Sequence, residues 1–200
     1  MYARVITAQY QPGKLDEGSQ IFRDSILPAV RQTQGFKGVL GLGDRSTGKA
    51  IAIVLRETEA DLQATESSGF VQEQFAKLMP ILAGVPAVEV YEVRVQEMQQ
   101  GETPAYARVL TGTGQLSKMD EGMQIIRDSV LPAARQQPGF NGGRWLLDRS
   151  TGKVMAITLW ATEADLLAGE TSGYYQAQIA KVAHMLTTQV VREAYEVVQV

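Results

Sequence analysis

The hexapeptide DRSTGK occurs twice in the chain, at Asp44–Lys49 and at Asp148–Lys153. The copies are 148 − 44 = 104 residues apart, and the same shift aligns YARV with YARV, TEADL with TEADL and YEV with YEV without a gap. A repeat of this length is typical of a duplicated small domain. We therefore predict a first module over residues 1–96, a polar linker over 97–104 and a second module over 105–200.

Composition and charge exclude several classes of function. The 200 residues include no cysteine, which excludes disulfides, thiolate metal sites and cysteine nucleophiles. The net charge is −3 and no basic run stands out, so a nucleic-acid partner is not expected. The sequence shows neither a signal peptide nor an apolar run that could cross a bilayer. We expect a soluble cytoplasmic protein without a membrane partner.

Each module has the residue pattern of a βαββαβ unit. The strand-forming YARVITAQY ends at Pro12-Gly13 and is followed by a helix with apolar residues three to four positions apart. FKGVLGLGD and KAIAIVLRE then form a hairpin, a second helical region follows, and PAVEVYEVRV is the last strand. This order predicts an α+β fold of two tandem ferredoxin-like modules, packed sheet to sheet as an internal pseudo-dimer.

Three local patterns predict where the helices begin and break. Thr58 and Asp61 resemble a helix N-cap with its partner, and Ser117 and Asp120 suggest the same arrangement at the first helix of the second module. Pro28 lies inside the first helix, where a proline lacks the N–H that the helix needs. We expect that helix to kink or break in its last turns, and Gly35 to end it.

The stretch GLGDRSTGKA resembles a phosphate-binding loop but lacks its essential parts. Such a loop needs Ser or Thr after the lysine and a helix after the loop, whereas Ala50 follows Lys49 and a strand pattern comes next. Asp44 can accept hydrogen bonds from backbone amides ahead of it, and Gly48 can take a positive φ. We therefore predict a hairpin turn and no nucleotide site.

The βαββαβ order, LPAARQQPGF, DRSTGK, the W-x-T-E-A-D-L stretch and the closing YEV together resemble the antibiotic biosynthesis monooxygenase-like (ABM) family. The resemblance covers nearly the whole chain as two fused copies and implies an intramolecular dimeric α/β barrel. It also implies one of three functions: cofactor-free oxidation of polycyclic phenols or quinols by dioxygen, haem degradation, or a small signal-processing or stress protein.

The haem branch fits these residues poorly. That branch uses an Asn on strand 1, a Trp near the end of strand 3 and an axial His. Here Asn141 is predicted at the start of strand 2 of the second module, and His184 lies well beyond Trp160, on the second copy of helix 2. A metal site needs three or four converging ligands, and the sequence shows no such cluster. We expect no metal and no cofactor.

The two modules differ at positions where the second gains aromatic and polar groups. A flat, open pocket requires aromatic walls and a trimmed first strand, so we predict that the second module holds the better-formed ligand site. The substitutions from first to second module are Leu40 to Arg144, Gly41 to Trp145, Arg56 to Trp160, Phe70 to Tyr174, Val71 to Tyr175, Pro80 to His184, Ala8 to Gly112 and Tyr10 to Gly114.

The resemblance to the ABM family implies a cofactor-independent monooxygenase that acts on a small aromatic, phenol- or quinol-like molecule, and the differences between the modules point to the second as its site. The alternative is a non-catalytic binding or stress-related protein, either as a monomeric pseudo-dimer or as a homo-oligomer. In the catalytic hypothesis, a proton is moved by His184 or a tyrosine. The predicted catalytic residues are Trp160, His184, Tyr174 and Tyr175, and the predicted substrate-binding residues are Arg144, Trp145, Gly112 and Gly114.

Structural explanations compete with each of these assignments. The two tryptophans also suit a protein core, and of two adjacent helical tyrosines one commonly faces the core and the other water. Arg4 and Arg108 repeat on strand 1, as Glu89 and Glu193 do on strand 4. Since these strands are neighbours in a ferredoxin-like sheet, we expect cross-strand ion pairs there.

Overall fold

The computed structural model describes residues 1–99 and 103–199. It divides into two compact units, one formed by residues 1–91 with the C-terminal segment from Glu196, and one by Glu92–Tyr195. The described strands are β1 (Tyr2–Gln9), β2 (Phe36–Asp44), β3 (Lys49–Arg56), β4 (Ala87–Met98), β5 (Tyr106–Thr113), β6 (Phe140–Leu147), β7 (Lys153–Trp160) and β8 (Val191–Gln199).

Helices alternate with these strands as the sequence predicts. The α-helices are α1 (Leu15–Ile21), α2 (Leu27–Arg31), α3 (Glu59–Ser67), α4 (Phe70–Ala76), α5 (Met119–Ile125), α6 (Leu131–Ala134), α7 (Glu163–Thr171) and α8 (Tyr174–Val182). Shorter helical turns are Phe22–Ile26, Met79–Ile81, Leu116–Lys118, Ile126–Val130 and Ala183–Met185.

The strands form an antiparallel sheet with ferredoxin-like order in each unit. Within the first unit the hydrogen-bonded neighbours run β1-β3-β2, and within the second unit they run β5-β7-β6-β4. β1 pairs with β3, and β3 with β2; in the second unit β5 pairs with β7, and β7 with β6. The predicted α+β class and strand order are therefore confirmed.

The first helical segment is interrupted just before its proline. The N–H of Leu27 bonds to the carbonyl of Phe22, five residues back, and Pro28 lies at the start of α2. A proline has no N–H to bond the preceding turn, and the wider π-turn ends so that Pro28 lies in the first turn of α2, where that N–H is not needed. The second unit repeats the turn at Ile126–Val130, so the predicted break is confirmed in both copies.

The predicted helix ends are only partly right. Thr58 caps α3, accepting from the N–H of Asp61, whose carboxylate in turn accepts from the N–H of Thr58. The predicted Ser117 cap is wrong, because Ser117 lies in a 3₁₀ turn and α5 starts after Lys118 without a side-chain cap. The first helical segment ends at Arg31, the last residue of α2, and not at Gly35 as predicted.

Both DRSTGK copies form the predicted hairpin turn. In the first copy Asp44 accepts from the Ser46 N–H at 2.8 Å and from the Thr47 hydroxyl at 2.6 Å, and Gly48 has a φ of +74°. Strand β3 follows at once. Asp148 makes the corresponding bonds in the second copy, so the turn is a structural device in both units.

The turn glycine of the second copy has little space for a side chain. Gly152 has a φ of +76°, and a Cβ there would lie 2.6 Å from the carbonyl oxygen of Gly114. Gly152→Ala is expected to lower the free energy of unfolding by about 2–3 kcal/mol, measured by urea titration.

Gly13→Ala is the matched control, since Gly13 has a φ of +74° and nothing within 4 Å of a Cβ. It should show the backbone cost alone, about 1 kcal/mol. Equal losses in the two variants would contradict a steric role for the Gly114 carbonyl.

Strand β4 is longer than the sequence indicates. Glu97 and Met98, predicted as the start of the linker, pair instead with Gly143 and Gly142 on β6. A Cβ at Gly142 would lie 2.5 Å from the carbonyl oxygen of Glu97, so the glycine permits this close approach. Linker residues 100–102 lie outside the described residues, and the module limits 1–96 and 105–200 stay predictions.

Candidate functional site

A cavity of about 140 Å³ lies within the second unit, between one face of its sheet and the helices α5 and α8. The strand registers explain which side chains line its floor. Arg108 is paired with Thr158, and Gly112 with Val154, so these residues share one face of β5 and β7 with Trp160. Most of the exposed cavity wall is apolar.

Trp160 closes one end of the cavity and is 1% exposed. Its indole Nε1 donates to the Thr158 hydroxyl at 3.0 Å, and its ring meets Phe140 edge to face with 5.8 Å between centroids. Because the indole N–H is engaged with Thr158, the ring offers a bound molecule a flat apolar surface.

Arg108 places a buried positive charge at the cavity wall. Its guanidinium carbon lies 5.5 Å from the Trp160 ring centroid and 5.4 Å from that of Tyr175, and the side chain is 3% exposed. Arg108 also donates to the Leu166 carbonyl and pairs with Glu170 at 3.2 Å. Burial lowers the pKa of Arg108 and Glu170 opposes that shift, so the guanidinium stays charged.

One nitrogen of Arg108 makes no hydrogen bond. The Nε atom is buried and has no acceptor in the described part of the chain. A buried donor without an acceptor costs free energy, which a ligand oxygen at the cavity wall would recover. Arg108 is therefore the strongest candidate for an anion-stabilising group at this site.

Tyr174 and Tyr175 both line the cavity from the start of α8 and both are half-buried. This differs from the expectation that one faces the core and the other water, because α8 begins at the rim of the cavity. Tyr175 lies between two guanidiniums, with Arg192 5.3 Å from its ring centroid on one side and Arg108 on the other. Burial raises the pKa of Tyr174 to about 12, with Arg108 opposing, so its phenol is neutral at pH 7.

The raised pKa of Tyr174 has a spectroscopic consequence. In an ultraviolet titration of phenolate absorbance, wild type minus Tyr174→Phe should show one tyrosine that ionises near pH 12. An unfolded tyrosine ionises at about pH 10. Because the pKa of Tyr174 is higher in the folded protein, the stabilisation of the fold by the neutral phenol is complete below that pH. It is lost as pH rises towards 12. A difference curve centred near pH 10 would contradict burial of Tyr174.

Of four other predicted site residues, two line the cavity and two do not. Trp145 and Gly112 line the cavity. Gly114 lies just beyond it, where a Cβ would be 2.3 Å from the methyl carbon of Met119. His184 is exposed on a 3₁₀ turn after α8, not on the helix as predicted, and is absent from the cavity wall.

Arg144 is buried on the sheet face that looks away from this cavity. On β6 it is paired with Ile157, whereas its neighbour Trp145 is paired with Ala156, and successive strand residues point to opposite faces. Its Nε donates to Gln96 at 3.4 Å. The structure therefore brings Trp160, Trp145, Tyr174, Tyr175 and Gly112 together, and leaves Arg144 and His184 outside.

The predicted cross-strand ion pairs are wrong. Arg4 pairs with Glu66 at 2.6 Å, and Arg108 pairs with Glu170. Both carboxylates lie on helices that cover the sheet, so the arginines extend from the strand towards the helical layer, where the cavities are. The sequence signal for Arg108 was the repeated YARV motif. A comparison of the positions that differ between the two modules does not select this arginine, because Arg4 and Arg108 are identical.

The cavity wall carries no acidic or imidazole side chain among the residues that the structure describes. Its polar groups are hydroxyls, amides, indoles and cations. Within residues 1–99 and 103–199 no group of three or more potential metal ligands converges. No helix in the same residues is long and apolar enough to span a membrane.

Comparisons with known proteins find relatives at the level of sequence. No family model matches the chain. An uncharacterized protein of Mycobacterium tuberculosis is 29% identical over 158 residues, which cover 78% of this chain and 69% of that protein. A second uncharacterized protein of the same organism is 27% identical over 150 residues, covering 74% and 62%.

Solved structures share the fold over nearly the whole chain. A candidate monooxygenase of Fusobacterium nucleatum superposes with a TM-score of 0.77 at 13% identity, covering 99% of this chain and 92% of the other. An anthrone oxidase-like protein gives 0.70 at 12%, covering 98% and 90%. A ferredoxin-fold protein of Listeria monocytogenes related to antibiotic biosynthesis monooxygenases gives 0.57 at 13%, covering 98% and 94%. At these identities, the likeness shows that the chain shares their fold.

Proposed function

We propose that the chain is an ABM-like oxygenase that oxidises a small phenol in the cavity of the second unit without a cofactor. The observation that carries the proposal is the buried guanidinium of Arg108 at the wall of an apolar cavity, held between the rings of Trp160 and Tyr175. The shared fold with an anthrone oxidase-like protein supports the reaction class.

The size of the cavity limits the substrate. An apolar cavity of about 150 Å³ holds one benzene ring, and this cavity measures about 140 Å³. Its aromatic wall favours a flat ring, and the cavity is partly open to solvent, which leaves room for a second ring or a short substituent. We infer that the substrate is an electron-rich phenol of one or two rings.

Arg108 supplies the electrostatic part of the reaction. A phenol reacts with dioxygen only as its anion, and a nearby guanidinium in a dry site lowers the free energy of that anion. Tyr174 is neutral at pH 7 and acts as a hydrogen-bond donor, not as a base. The phenol proton passes to water at the cavity mouth, and His184 has no part in this scheme.

The reaction balances without a further reactant. The phenolate gives one electron to dioxygen, and the resulting superoxide joins the ring carbon para to the oxygen. The hydroperoxide then loses water and leaves a quinone, so phenol plus dioxygen gives quinone plus water. Trp160 and Trp145 hold the ring, and exclusion of bulk water limits loss of the radical pair.

Oxygen uptake with 2-methoxyphenol and 1-naphthol tests the proposal. Wild type should consume one dioxygen per quinone formed, and labelled dioxygen should place one labelled atom in the quinone. Addition of catalase should return no oxygen, whereas simple oxidation that forms peroxide would return half. Absence of uptake with both phenols, while each still quenches tryptophan fluorescence, would overturn the oxygenase.

A non-catalytic binding protein is the second candidate. The observation that favours it is the absence of an acidic or imidazole base from the cavity wall among the described residues. A binder should take up phenols and their methyl ethers equally well at neutral pH. The oxygenase should instead bind the phenol more tightly as pH rises towards the phenol's own pKa, because Arg108 favours the anion.

A further inference from the structure

The first unit has a cavity of its own, of about 100 Å³, in the place that corresponds to the cavity of the second unit. Its wall is apolar except for a few groups, and two of these are the guanidiniums of Arg4 and Arg56. Tyr2 is paired with Arg56 across β1 and β3, so Arg4 and Arg56 are diagonal neighbours on one sheet face. No carboxylate of the described residues lines this cavity.

Arg56 is buried without a matching negative charge. The residue is 2% exposed, its Nη1 donates to the Gln34 carbonyl at 3.4 Å, and its Nε has no acceptor in the described part of the chain. Within the described residues it has no carboxylate oxygen within 4.0 Å; Asp61 acts on it only at longer range. Its guanidinium carbon also lies 5.9 Å from the centroid of the Phe36 ring.

Arg4 does not relieve this charge. Its own Nη2 is paired with Glu66 at 2.6 Å and with the Leu62 carbonyl at 3.0 Å, while its Nε, like that of Arg56, is buried without an acceptor. Burial first, and then repulsion by Arg4, lower the pKa of Arg56. Buried charges in proteins are normally paired, because an unpaired one costs several kcal/mol.

The second unit shows that the fold does not require this arginine. The position of Arg56 is filled there by Trp160, which packs on Phe140 as Arg56 packs on Phe36. A neutral aromatic residue therefore satisfies the same packing. The first unit carries a charge instead, which suggests a ligand that supplies the opposite charge.

We propose that the cavity of the first unit binds a small carboxylic acid with a flat, apolar body, and that Arg56 and the Nε of Arg4 hold its carboxylate. A guanidinium matches a carboxylate with two parallel hydrogen bonds. The apolar remainder of the wall, which includes Phe22, Phe70 and Val54, disfavours a fully hydrated inorganic anion. The volume of about 100 Å³ is less than an enclosed benzene ring needs, but the cavity is partly open to solvent, so a flat ring can project from it while the carboxylate lies at the arginines. This site is separate from the phenol site and does not depend on it.

Benzoate and its neutral isostere benzamide test the site by isothermal titration calorimetry. Wild type should bind benzoate at least about tenfold more tightly than benzamide. Arg56→Met, which keeps most of the side-chain volume without the charge, should lose that difference, and Arg56→Lys should retain part of it. Both tryptophans of the chain belong to the second unit, so binding in the first unit should leave tryptophan fluorescence unchanged.

Arg108→Met separates this proposal from the phenol oxygenase. The variant should retain benzoate binding, even though it removes the cation of the other cavity. Benzoate binding that is lost in Arg108→Met but kept in Arg56→Met would place the acid in the second unit and overturn the proposal. Equal binding of benzoate and benzamide to wild type, or no binding of either, would also overturn it, even if Arg56→Met failed to fold.

Discussion

Arg108→Met is expected to lower kcat/KM for oxygen uptake with an electron-rich phenol by about 10²–10³-fold, the usual effect of removing one group that stabilises an anion in a dry site. The variant keeps most of the side-chain volume between Trp160 and Tyr175, so the loss should be electrostatic. Glu170 is not left alone, because it also pairs with Arg192 at 2.9 Å. The fold should therefore survive, which circular dichroism checks.

Arg108→Lys is the matched control for charge. Lysine keeps a cation but lacks the planar fork and the stacking that guanidinium gives between two rings. We expect the kcat/KM of Arg108→Lys to lie between those of wild type and Arg108→Met. As pH is lowered, its affinity for the phenol should fall less steeply than that of wild type. A kcat/KM for Arg108→Met within about threefold of wild type would remove Arg108 from the proposed reaction.

The fold was predictable because its determinants are local and occur twice. Asp44 specifies the hairpin turn through its carboxylate and Gly48 through its positive φ, and Thr58 caps its helix through a residue three positions away. The start of α5 was wrongly predicted at Ser117, because Lys118, the residue before the helix, provides no side-chain cap that a sequence pattern could indicate. The repeat in the sequence then provided a second example of each pattern.

The site was predictable only in part, because it depends on which face each residue takes and on contacts between distant elements. The comparison of the two modules found Trp160, Trp145, Tyr174 and Tyr175, since these differ in chemistry at cavity-lining positions. The same comparison also selected Arg144. Because Arg144 is the residue next to Trp145 on β6, its side chain points to the opposite face of the sheet, away from the cavity.

Arg108 was assigned to a cross-strand ion pair for a related reason. Its partner Glu170 is 62 residues further along the chain, on a helix whose docking over the sheet is a tertiary fact. Sequence periodicity indicates that β5 and its neighbours form a sheet, but it does not indicate which carboxylate a long side chain reaches. Residues that are identical in both modules do not stand out in a comparison of differences. Arg4 and Arg108, which occupy the same position in the two cavities, were therefore not selected.

Trp160→Ala is expected to lower the free energy of unfolding by about 3–5 kcal/mol, as removal of a large buried aromatic side chain does. The residue is 1% exposed and contacts Phe140, Arg108 and Thr158, and none of these can fill the space that the indole leaves. The Arg108 guanidinium also loses one of its two ring neighbours. Urea unfolding, followed by the fluorescence of the remaining Trp145 in the same unit, measures the effect.

Trp160→Phe is the control that separates volume from the indole itself. A phenyl ring retains the edge-to-face contact with Phe140 but loses the N–H donated to Thr158, so the loss should be about 1–2 kcal/mol. If Trp160 is part of the phenol site, Trp160→Phe should raise KM more than it lowers kcat, because a flat wall is kept while its area shrinks. A Trp160→Ala variant that unfolds within about 1 kcal/mol of wild type would show that the indole is not part of the core.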